Sequence, residues 1–394
     1  MKKTILDYNL KNKRVIIRCD LNVPIKDGVI TDDTRIKESI ETINHAVNRG
    51  AKVIILSHLG RVKEESDKEK YSLRCVALRL SELMGHEVKF VPNTRGEEVT
   101  NAVNNMKPGD IVMLENTRWE DYPNKLESNN DESLSKYWAS LGDIFIDDAF
   151  GLAHRAHASN VGIANILPSG LGFLLRKEVL GISSALENPK RPLVIMLGGS
   201  KVSDKIGVIE NAVKIADYLL IGGGMIFTFY KANSYNVGLS IVDNESIDFC
   251  KRIYEQYKDK IILPTDIVTG TSITSEARTR LTTPNNILDN EIGLDIGVET
   301  ISKFKNILMN AGTIIWNGPL GVFEVDKFSN GTRKIVDILN MSKAKIVVGG
   351  GDTISALNKF GFKNYNAHIS TGGGASLEML EGKVLPAVKV ISDK

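Results

Sequence analysis

The stretch VIMLGGSKVSDKIGVIENAV (residues 194–213) joins a continuous apolar run to a helical pattern through a pair of glycines. The run is typical of a strand buried on both faces, and Ile206, Ile209 and Val213 follow at the spacing of one apolar helix face. Two lysines, Lys201 and Lys205, lie between these elements, four residues apart. On a helix these like charges would be neighbours and would repel each other, so their position after the glycines needs an explanation.

The same pattern of strand and helix recurs along the whole chain. The short apolar runs that we interpret as strands are RVIIRC (14–19), KVIILS (52–57), EVKFV (87–91), DIVMLE (110–115), DIFID (143–147), PLVIML (192–197), DYLLIGGG (217–224), KIILP (260–264), GTIIWNG (312–318) and AKIVVGGG (344–351). Helical patterns separate them, as in the apolar face of Ile36, Ile40, Ile43 and Val47. Alternating strands and helices predict an α/β fold of two doubly wound, Rossmann-like parallel sheets.

The chain divides into two predicted domains, because 394 residues are too many for one ordinary hydrophobic core. The segment 174–192 has a helical pattern that ends at two prolines, which is typical of a junction. We therefore predict a first domain over residues 1–175, a helical hinge over 176–190 and a second domain over 191–375. A C-terminal segment, 376–394, is expected to pack back toward the first domain.

The bulk composition excludes several classes of protein. A net charge of +2 argues against a general binder of nucleic acid or of anionic membranes. The three cysteines, Cys19, Cys75 and Cys250, have no C-x-x-C spacing and support neither a disulfide framework nor a zinc site. No apolar run approaches the length of a membrane span, and the start MKKTILDYNL lacks the apolar core of a signal peptide. We expect a cytoplasmic protein without nucleic-acid or membrane partners.

The second half of the chain carries four glycine clusters at the ends of predicted strands. They are Gly198-Gly199, Gly222 to Gly224, Gly349 to Gly351 and Gly372 to Gly374. Glycines let backbone N–H groups approach an anion, and helix N-termini favour negative charge, so the clusters indicate a polyphosphate site. Simple turn chemistry remains the alternative, and neither a Walker A nor a G-x-G-x-x-G pattern occurs. A polyanion between Lys201 and Lys205 would explain the pair; a solvated basic helix face is the alternative, which the position after Gly198-Gly199 disfavours.

Three polar residues near these glycines are candidates for nucleotide and metal contacts. Asp352 follows Gly349 to Gly351 at a predicted helix start, where it either caps the helix or binds Mg²⁺ together with nucleotide phosphates. Glu324 could accept a ribose hydroxyl or be an ordinary surface charge. Asn317 lies in the same WNGPLGVFE stretch (316–324).

The first half of the chain collects cationic and polar side chains at strand ends. They are Arg18, Asp20 and Asn22 in RCDLNVP, Arg35 in ITDDTRI, His58 and Arg61 in SHLGR, Arg118 in ENTRW, and His154, Arg155 and His157 in HRAHAS. Arg35 lies in the first turn of a predicted helix, which the helix dipole disfavours for a cation. Arginines grip carboxylates and phosphates in bidentate fashion, so the group suggests a small phosphorylated acid as ligand.

The motifs as a set resemble the phosphoglycerate kinase family. RCDLNVP, ITDDTRI, SHLGR, DDAFGLAHRAHAS, GGSKVSDK, WNGPLGVFE, GGGDT and STGGGASLEMLEGKVLP look like that family's signatures, in its order and over essentially the whole chain. The resemblance implies phosphoryl transfer between ATP and 3-phosphoglycerate with Mg²⁺, giving ADP and 1,3-bisphosphoglycerate, in a monomeric enzyme of glycolysis whose two lobes close about a hinge.

The resemblance also implies roles for individual residues. The 3-phosphoglycerate site would comprise Asp20, Asn22, Arg35, His58, Arg61, Arg118 and Arg155. The nucleotide site would comprise Lys205, Gly222, Gly223, Gly297, Asn317, Glu324, Gly350, Gly351, Asp352 and Thr353, with Asp352 on the metal. Arg35, Lys201, Gly373 and Gly374 would hold the transferring group. Val62, Leu152 and Val298 depart from the family's usual Pro, Thr and Pro at their positions.

Two other classes of protein could also use two α/β lobes. A nicotinamide-dependent dehydrogenase would need a G-x-G-x-x-G turn after its first strand, and CDLNVP is not that pattern. A non-catalytic two-lobed binding protein would explain a cleft, although it would have no use for a lysine pair and a metal-binding aspartate opposite an arginine group.

Overall fold

All ten predicted strands form in the computed structural model, which describes residues 2–394. The chain folds as two units. The first comprises the residues up to Leu180 together with Val384–Lys394, and the second comprises Gly181–Lys383. Each unit has a six-stranded parallel sheet with helices packed against it, which confirms the predicted fold class.

The first unit is built on a sheet that alternates with helices along the chain. Its strands are β1 (Arg14–Cys19), β2 (Ile25–Lys26), β3 (Val29–Ile30), β4 (Lys52–Leu56), β5 (Val88–Val91), β6 (Ile111–Leu114), β7 (Ile144–Asp148) and β8 (Ser169–Leu171). Its helices before the C-terminal segment are α1 (Thr34–Asn48), α2 (Asp67–Lys70), α3 (Arg74–Met84), α4 (Glu97–Asn104), α5 (Glu132–Ser140) and the start of α6 (Phe173–Leu186). The sheet order is β5-β6-β4-β1-β7-β8, and β2 and β3 form a separate antiparallel pair.

The second unit adds an antiparallel sheet to the parallel one. Its strands are β9 (Leu193–Leu197), β10 (Tyr218–Ile221), β11 (Ile261–Ile262), β12 (Ile267–Gly270), β13 (Thr279–Thr282), β14 (Ile292–Ile296), β15 (Thr313–Asn317), β16 (Lys345–Gly349) and β17 (Ala367–Ile369). Its helices are the end of α6, then α7 (Ile206–Ile215), α8 (Ile226–Ala232), α9 (Ile247–Gln256), α10 (Val298–Met309), α11 (Asn330–Met341), α12 (Gly351–Phe360) and α13 (Gly374–Leu380). The parallel order is β11-β10-β9-β15-β16-β17, and the antiparallel order is β13-β12-β14.

The burial of the central strands explains why they could be predicted from the sequence. Every residue of β9 and β15 is buried, and the first strand, β1, is buried from Val15 to Cys19. Strands of this kind give continuous Val, Ile and Leu runs, because both faces of the sheet are covered by helices. The strands that the sequence analysis missed, β2, β3, β8, β12 to β14 and β17, are short or partly exposed and lack such runs.

The junction between the units lies within α6, which begins in the first unit and ends in the second. A short helix, α14 (Pro386–Lys389), lies in the C-terminal segment, where the backbone N–H of Ala387 donates to Ala153 O at 3.1 Å. Of the segment 376–394, residues 384–394 belong to the first unit and residues 376–383 to the second. The hinge over 176–190 stays a prediction.

The local structure differs from the sequence-based interpretation at the lysine pair, and it removes one of the two alternatives for Asp352. Lys201 and Lys205 do not share a helix, because α7 begins at Ile206 and Lys205 is its N-cap residue. The two ammonium groups are therefore not neighbours on one helix face. Asp352 is not the cap of α12 either; Gly350 occupies that position with φ +95°, a backbone conformation that favours glycine. Across residues 2–394, the structure contains no helix that is long and apolar enough to cross a membrane.

Candidate functional site

The cationic residues of the first unit lie along one edge of its sheet. Asp20 and Asn22 follow β1, His58 and Arg61 follow β4, Arg118 follows β6, and Arg155 follows β7. These four strands are consecutive in the sheet order, and all are parallel, so the segments after them meet at the carboxyl edge of the sheet. Arg35 reaches the same edge from the first turn of α1.

The segments after β1 and β4 are held together by polar contacts. Arg35 Nη1 pairs with Asp20 Oδ2 at 2.5 Å, and the backbone N–H of Gly60 donates to Asn22 Oδ1 at 2.9 Å. Gly151, after β7, packs directly on this pair, and a Cβ at that position would collide with the Asp20 carboxylate. Sequence reasoning missed Gly151, because a single glycine in a loop carries no signal of what packs against it.

His58 is a buried, neutral imidazole. Burial lowers its pKa well below the usual value, and the positive charges of Arg18, Arg118 and Arg35 lower it further. Arg18 Nη2 lies 3.2 Å from His58 Nδ1. A guanidinium can only donate, so Nδ1 accepts this hydrogen bond and the imidazole proton is on Nε2. His58 is thereby a hydrogen-bond donor at this edge, which suits an anionic ligand.

A buried network that the sequence analysis did not recognise supports Arg18. Arg18 is fully buried, its Nε donates to Ser159 Oγ at 2.8 Å, and the Glu127 carboxylate lies 4.0 Å away. Burial opposes the charge of Glu127, but the neighbouring His157 imidazole, whose Nδ1 lies 3.6 Å from the carboxylate, and the charge of Arg18 outweigh it and lower the Glu127 pKa. Glu127 lies outside the motifs of the sequence, so only the fold reveals its contact with Arg18.

Arg118 is a second buried cation of the group. Its side chain is 10 % exposed, and the Asp121 carboxylate is 3.9 Å from Nη1. Burial lowers the pKa of the guanidinium. Among the residues that the structure describes, the buried Nε of Arg118 has no hydrogen-bond partner. A buried donor without a partner is costly, and an anionic ligand would satisfy it. Arg61 and Arg155 are exposed, and Arg155 Nε donates to His154 Nε2 at 3.2 Å.

The glycine clusters of the second unit also converge at one sheet edge. Gly198-Gly199 follow β9, Gly222 to Gly224 follow β10, Gly349 to Gly351 close β16, and Gly372 to Gly374 follow β17. Asn317 ends β15, which lies between β9 and β16. The prediction that these clusters lie at strand ends is confirmed.

Four of these glycines do not present their N–H groups to an anion. Gly198, Gly199, Gly222 and Gly223 donate to the backbone oxygens of Asn317, Pro319, Leu197 and Leu320, respectively. A Cβ on Gly198 would overlap Pro319 O, and one on Gly223 would lie 2.7 Å from Gly199 N. At these residues the geometry favours the turn-chemistry alternative, because glycine lets the loops after β9, β10 and β15 pack backbone against backbone.

The starts of α12 and α13 leave N–H groups without a helical partner. The first hydrogen bond within α12 runs from Ile354 N–H to Gly350 O. The N–H groups of Gly351, Asp352 and Thr353 therefore have no acceptor inside the helix. In α13 the bond from Leu377 N–H to Gly373 O likewise leaves the N–H groups of Gly373 and Gly374 unused inside the helix. These two helix starts, unlike the first two glycine clusters, have the donors that a phosphate needs.

Lys205 joins two loops of the second unit. Its Nζ donates to Gly198 O at 2.7 Å, to Asn317 O at 2.8 Å and to Asn317 Oδ1 at 2.7 Å. Burial lowers the pKa of this ammonium to about 8, although the carboxylates of Asp204 and Asp352 act in the opposite direction. All three N–H bonds are therefore engaged, and a phosphate would have to replace one of the carbonyl partners. Lys201, by contrast, is exposed.

A cavity of about 610 Å³ opens beside these loops. Gly223, Glu324 and Asp352 lie in its wall, whereas Gly222 and Gly297 are not among the lining residues that the structure describes. Gly297 packs on Asp266 instead. The rest of the wall is largely apolar and was not predicted; it includes Phe227, Leu239, Ile241, Ile273, Leu294, Leu320 and Val322. Three of these, Leu239, Ile241 and Ile273, are large exposed apolar side chains, a feature that the sequence does not disclose.

The cavity wall also contains a buried carboxyl group. Burial raises the pKa of Asp295 to about 8, although the backbone N–H groups of Gly331 and Ile296 donate to it at 2.7 and 2.9 Å. Burial therefore favours its neutral form, which makes it a poor ligand for a metal. Asp352 and Glu324 are exposed carboxylates of the wall, and Asp352 is the one at a helix start; Mg²⁺ that arrives with nucleotide phosphates needs only one or two protein carboxylates. Within residues 2–394 no group of three or more His, Cys, Asp or Glu side chains is placed to hold a metal.

Comparisons with known proteins bear on the whole chain. The family model described as phosphoglycerate kinase matches residues 5–383. Proteins named phosphoglycerate kinase from Enterococcus faecalis and Fusobacterium nucleatum are 54% and 50% identical to the chain, each over 100% of both sequences. A solved structure of phosphoglycerate kinase from Coxiella burnetii is 41% identical and superposes with a TM-score of 0.91, covering 99% of this chain and 98% of that one. The chain therefore belongs to the phosphoglycerate kinase family.

Proposed function

We propose that this protein transfers a phosphoryl group reversibly between ATP and the carboxylate of 3-phosphoglycerate, a reaction of glycolysis. The observation that carries the proposal is a chemical difference between two sheet edges. The carboxyl edge of the first sheet is cationic, and that of the second combines helix starts, an exposed aspartate and an apolar cavity. The alternative of a non-catalytic binding protein is not supported, because full-length relatives at 50–54% identity are named as the kinase.

In this proposal, 3-phosphoglycerate binds at the edge of the first sheet. The buried Nε of Arg118, which has no partner among the described residues, would donate a hydrogen bond to the ligand, and His58 would donate one from Nε2. Asp20 and Asn22 orient neighbouring groups, Asp20 through its ion pair with Arg35. Arg61 and Arg155 add positive charge at the rim, where arginine forks suit both the phosphate and the carboxylate of the acid.

The nucleotide would bind at the edge of the second sheet. The apolar wall of the cavity suits a base, and Glu324 in the same wall could accept ribose hydroxyls. The N–H groups of Gly351, Asp352 and Thr353 would face phosphate, and Lys205 would exchange one carbonyl partner for a phosphate oxygen. Gly350 and Asn317 would line the same region, whereas Gly222 and Gly297 would act through packing. Asp352 would hold Mg²⁺, which neutralises phosphate charge when bound.

The acceptor requires no general base, because a carboxylate is already ionised at neutral pH. The protein instead has to align the reactants and stabilise charge on the equatorial oxygens of the transferring group. Lys201, Arg35 and the N–H groups of Gly373 and Gly374 suit this task, because two are cations and the others are donors at a helix start. Because each reactant would bind to a different unit, the proposal includes a closing movement that excludes water, which is the competing nucleophile.

The direct test mixes purified protein with ATP, Mg²⁺ and 3-phosphoglycerate and follows ADP production.

Lys201→Ala should lower kcat at least about a hundredfold with little change in substrate affinity, because a cation on the transferring group acts mainly in the transition state. Lys305→Ala removes another exposed lysine of the same unit and should leave the rate unchanged. A near-normal kcat in Lys201→Ala would contradict its role.

Arg35 can be tested against a cation on the same helix. Arg35→Ala should lower turnover and weaken 3-phosphoglycerate binding, whereas Arg49→Ala, at the opposite end of α1, should change neither. An effect of Arg35→Ala on nucleotide affinity alone would contradict the proposal. We further propose a cytoplasmic monomer without nucleic-acid or membrane partners; sedimentation of the purified protein tests the oligomeric state.

A further inference from the structure

The segment that carries Glu324 is attached to α12 at both ends of the helix. At the start of α12, Thr353 Oγ1 accepts the backbone N–H of Gly318 at 2.7 Å. At its end, Lys359 Nζ donates to Phe323 O at 2.9 Å and to Glu324 O at 3.3 Å. Helix α12 is therefore hydrogen-bonded to Gly318, just after β15, and again to Glu324, the residue predicted to bind ribose.

Side-chain packing reinforces the second attachment. Lys359 also pairs with Asp326 Oδ1 at 3.0 Å, and the rings of Phe323 and Phe360 meet edge to face at 6.4 Å between centroids. The Asp326 carboxylate is 81% exposed, so the ion pair by itself contributes little. The two bonds to backbone carbonyls are direct contacts of Lys359 with the Glu324 segment, whose other anchor is the bond from Val322 N–H to Leu294 O at 2.9 Å.

The two residues that α12 connects have different predicted partners. Asp352, in the first turn of α12, is the candidate for the metal and phosphates, whereas Glu324 is the candidate for the ribose, and both lie in the wall of the same cavity. Neither side chain is attached to the other by a direct hydrogen bond in the contacts of residues 2–394. Their separation depends on the helix and on the lysine at its end.

We propose that Lys359 is a positioning residue for nucleotide binding, which holds Glu324 at a set distance from Asp352 so that ribose and phosphates are recognised together. This inference rests on the proposed function of the cavity. It predicts that Lys359 acts on the nucleoside part of the ligand and only through Glu324. A merely structural lysine would instead affect all ligands of the unit alike.

The test compares two ligands and a double-mutant cycle. Calorimetry with Mg²⁺ present measures Kd for ADP and for inorganic tripolyphosphate, which has no ribose. K359M should weaken ADP binding about fivefold and leave tripolyphosphate binding unchanged, and K359R should restore part of the loss. E324Q should weaken ADP binding as well, and K359M/E324Q should be no weaker than E324Q alone, because the lysine acts through that carboxylate.

Two variants serve as matched controls. D326N removes the ion pair but keeps the carbonyl contacts, and K334M removes an exposed lysine that pairs with Asp337 at 3.4 Å on α11; both should bind ADP within twofold of the wild type. Additive losses in the double variant, an equal loss for tripolyphosphate, or unchanged ADP binding by K359M would overturn the role of Lys359.

The outcomes separate this inference from the proposed function. Wild-type protein that binds no ADP would overturn both. Wild-type protein that binds ADP with the predicted variant pattern but does not phosphorylate 3-phosphoglycerate would overturn only the proposed reaction. In the steady state, K359M should raise KM for ATP and leave both kcat and KM for 3-phosphoglycerate within about twofold.

Discussion

Nucleotide binding should draw a proton onto Lys205. The ammonium has a pKa of about 8 in the free protein, because its surroundings are poorly solvated. Its three partners there are carbonyl oxygens, which carry only partial negative charge. A phosphate oxygen in place of one of them brings a full negative charge, so the pKa should return toward the ordinary lysine value.

The size of the effect follows from the two pKa values. At pH 8 about half of the Lys205 side chains are neutral in the free protein, and a bound pKa near 10.5 would make nearly all of them charged. Binding should then take up about 0.5 proton per ADP at pH 8 and about 0.1 at pH 7. Because the bound state holds the extra proton, affinity should fall as pH rises through 8, by up to about tenfold per pH unit.

Calorimetry of ADP binding at pH 8 in two buffers with different ionisation enthalpies measures this proton count directly. The same titration of Lys205→Met should show no buffer dependence beyond that of ADP itself, whereas Lys305→Ala should match the wild type. A wild-type uptake near zero at pH 8, or an uptake that persists in Lys205→Met, would refute the assignment of Lys205 to the phosphates.

Three further predictions concern glycine packing and the buried imidazole. Gly151→Ala places a methyl group against the Asp20 carboxylate and should raise KM for 3-phosphoglycerate about tenfold without changing KM for ATP in steady-state assays. The pKa of His58 lies well below its usual value, so KM for 3-phosphoglycerate should show no inflection near pH 6.5; an inflection that His58→Gln removes would contradict this. Gly198→Ala drives a methyl group into Pro319 O and should cost about 2 kcal/mol of folding free energy, seen as a lower thermal midpoint; an unchanged midpoint would contradict the packing.

The parallel sheets could be predicted because their signal is local. A strand such as β9 is buried along its whole length, so its residues form one apolar run, and the helix after it repeats apolar residues every three or four positions. The antiparallel strands β12 to β14 carry no such run. Residues of β13, for example, alternate between exposed and partly buried, and the strand is recognisable only from its pairing with β12.

The positions of the candidate site residues could also be predicted, but not their contacts. Strand ends meet at one sheet edge in any parallel α/β fold, so charged residues after consecutive strands were expected to converge. Which of those residues would be buried, paired or unsatisfied depends on neighbours that are distant in the chain. Arg118 and its unpartnered donor, or Arg18 and its bond to His58, are examples.

The sequence by itself determined the alternation of strands and helices, the order of the motifs and the placement of charged and glycine residues at strand ends. All of these depend on residues within a few positions of one another. Only the tertiary structure decided that Lys205 bonds to Asn317, 112 residues away, and that the N–H groups of Gly198 and Gly223 donate to loop carbonyls. Backbone groups bond to whatever the fold brings beside them, and that neighbour is set by the packing of whole elements rather than by local spacing.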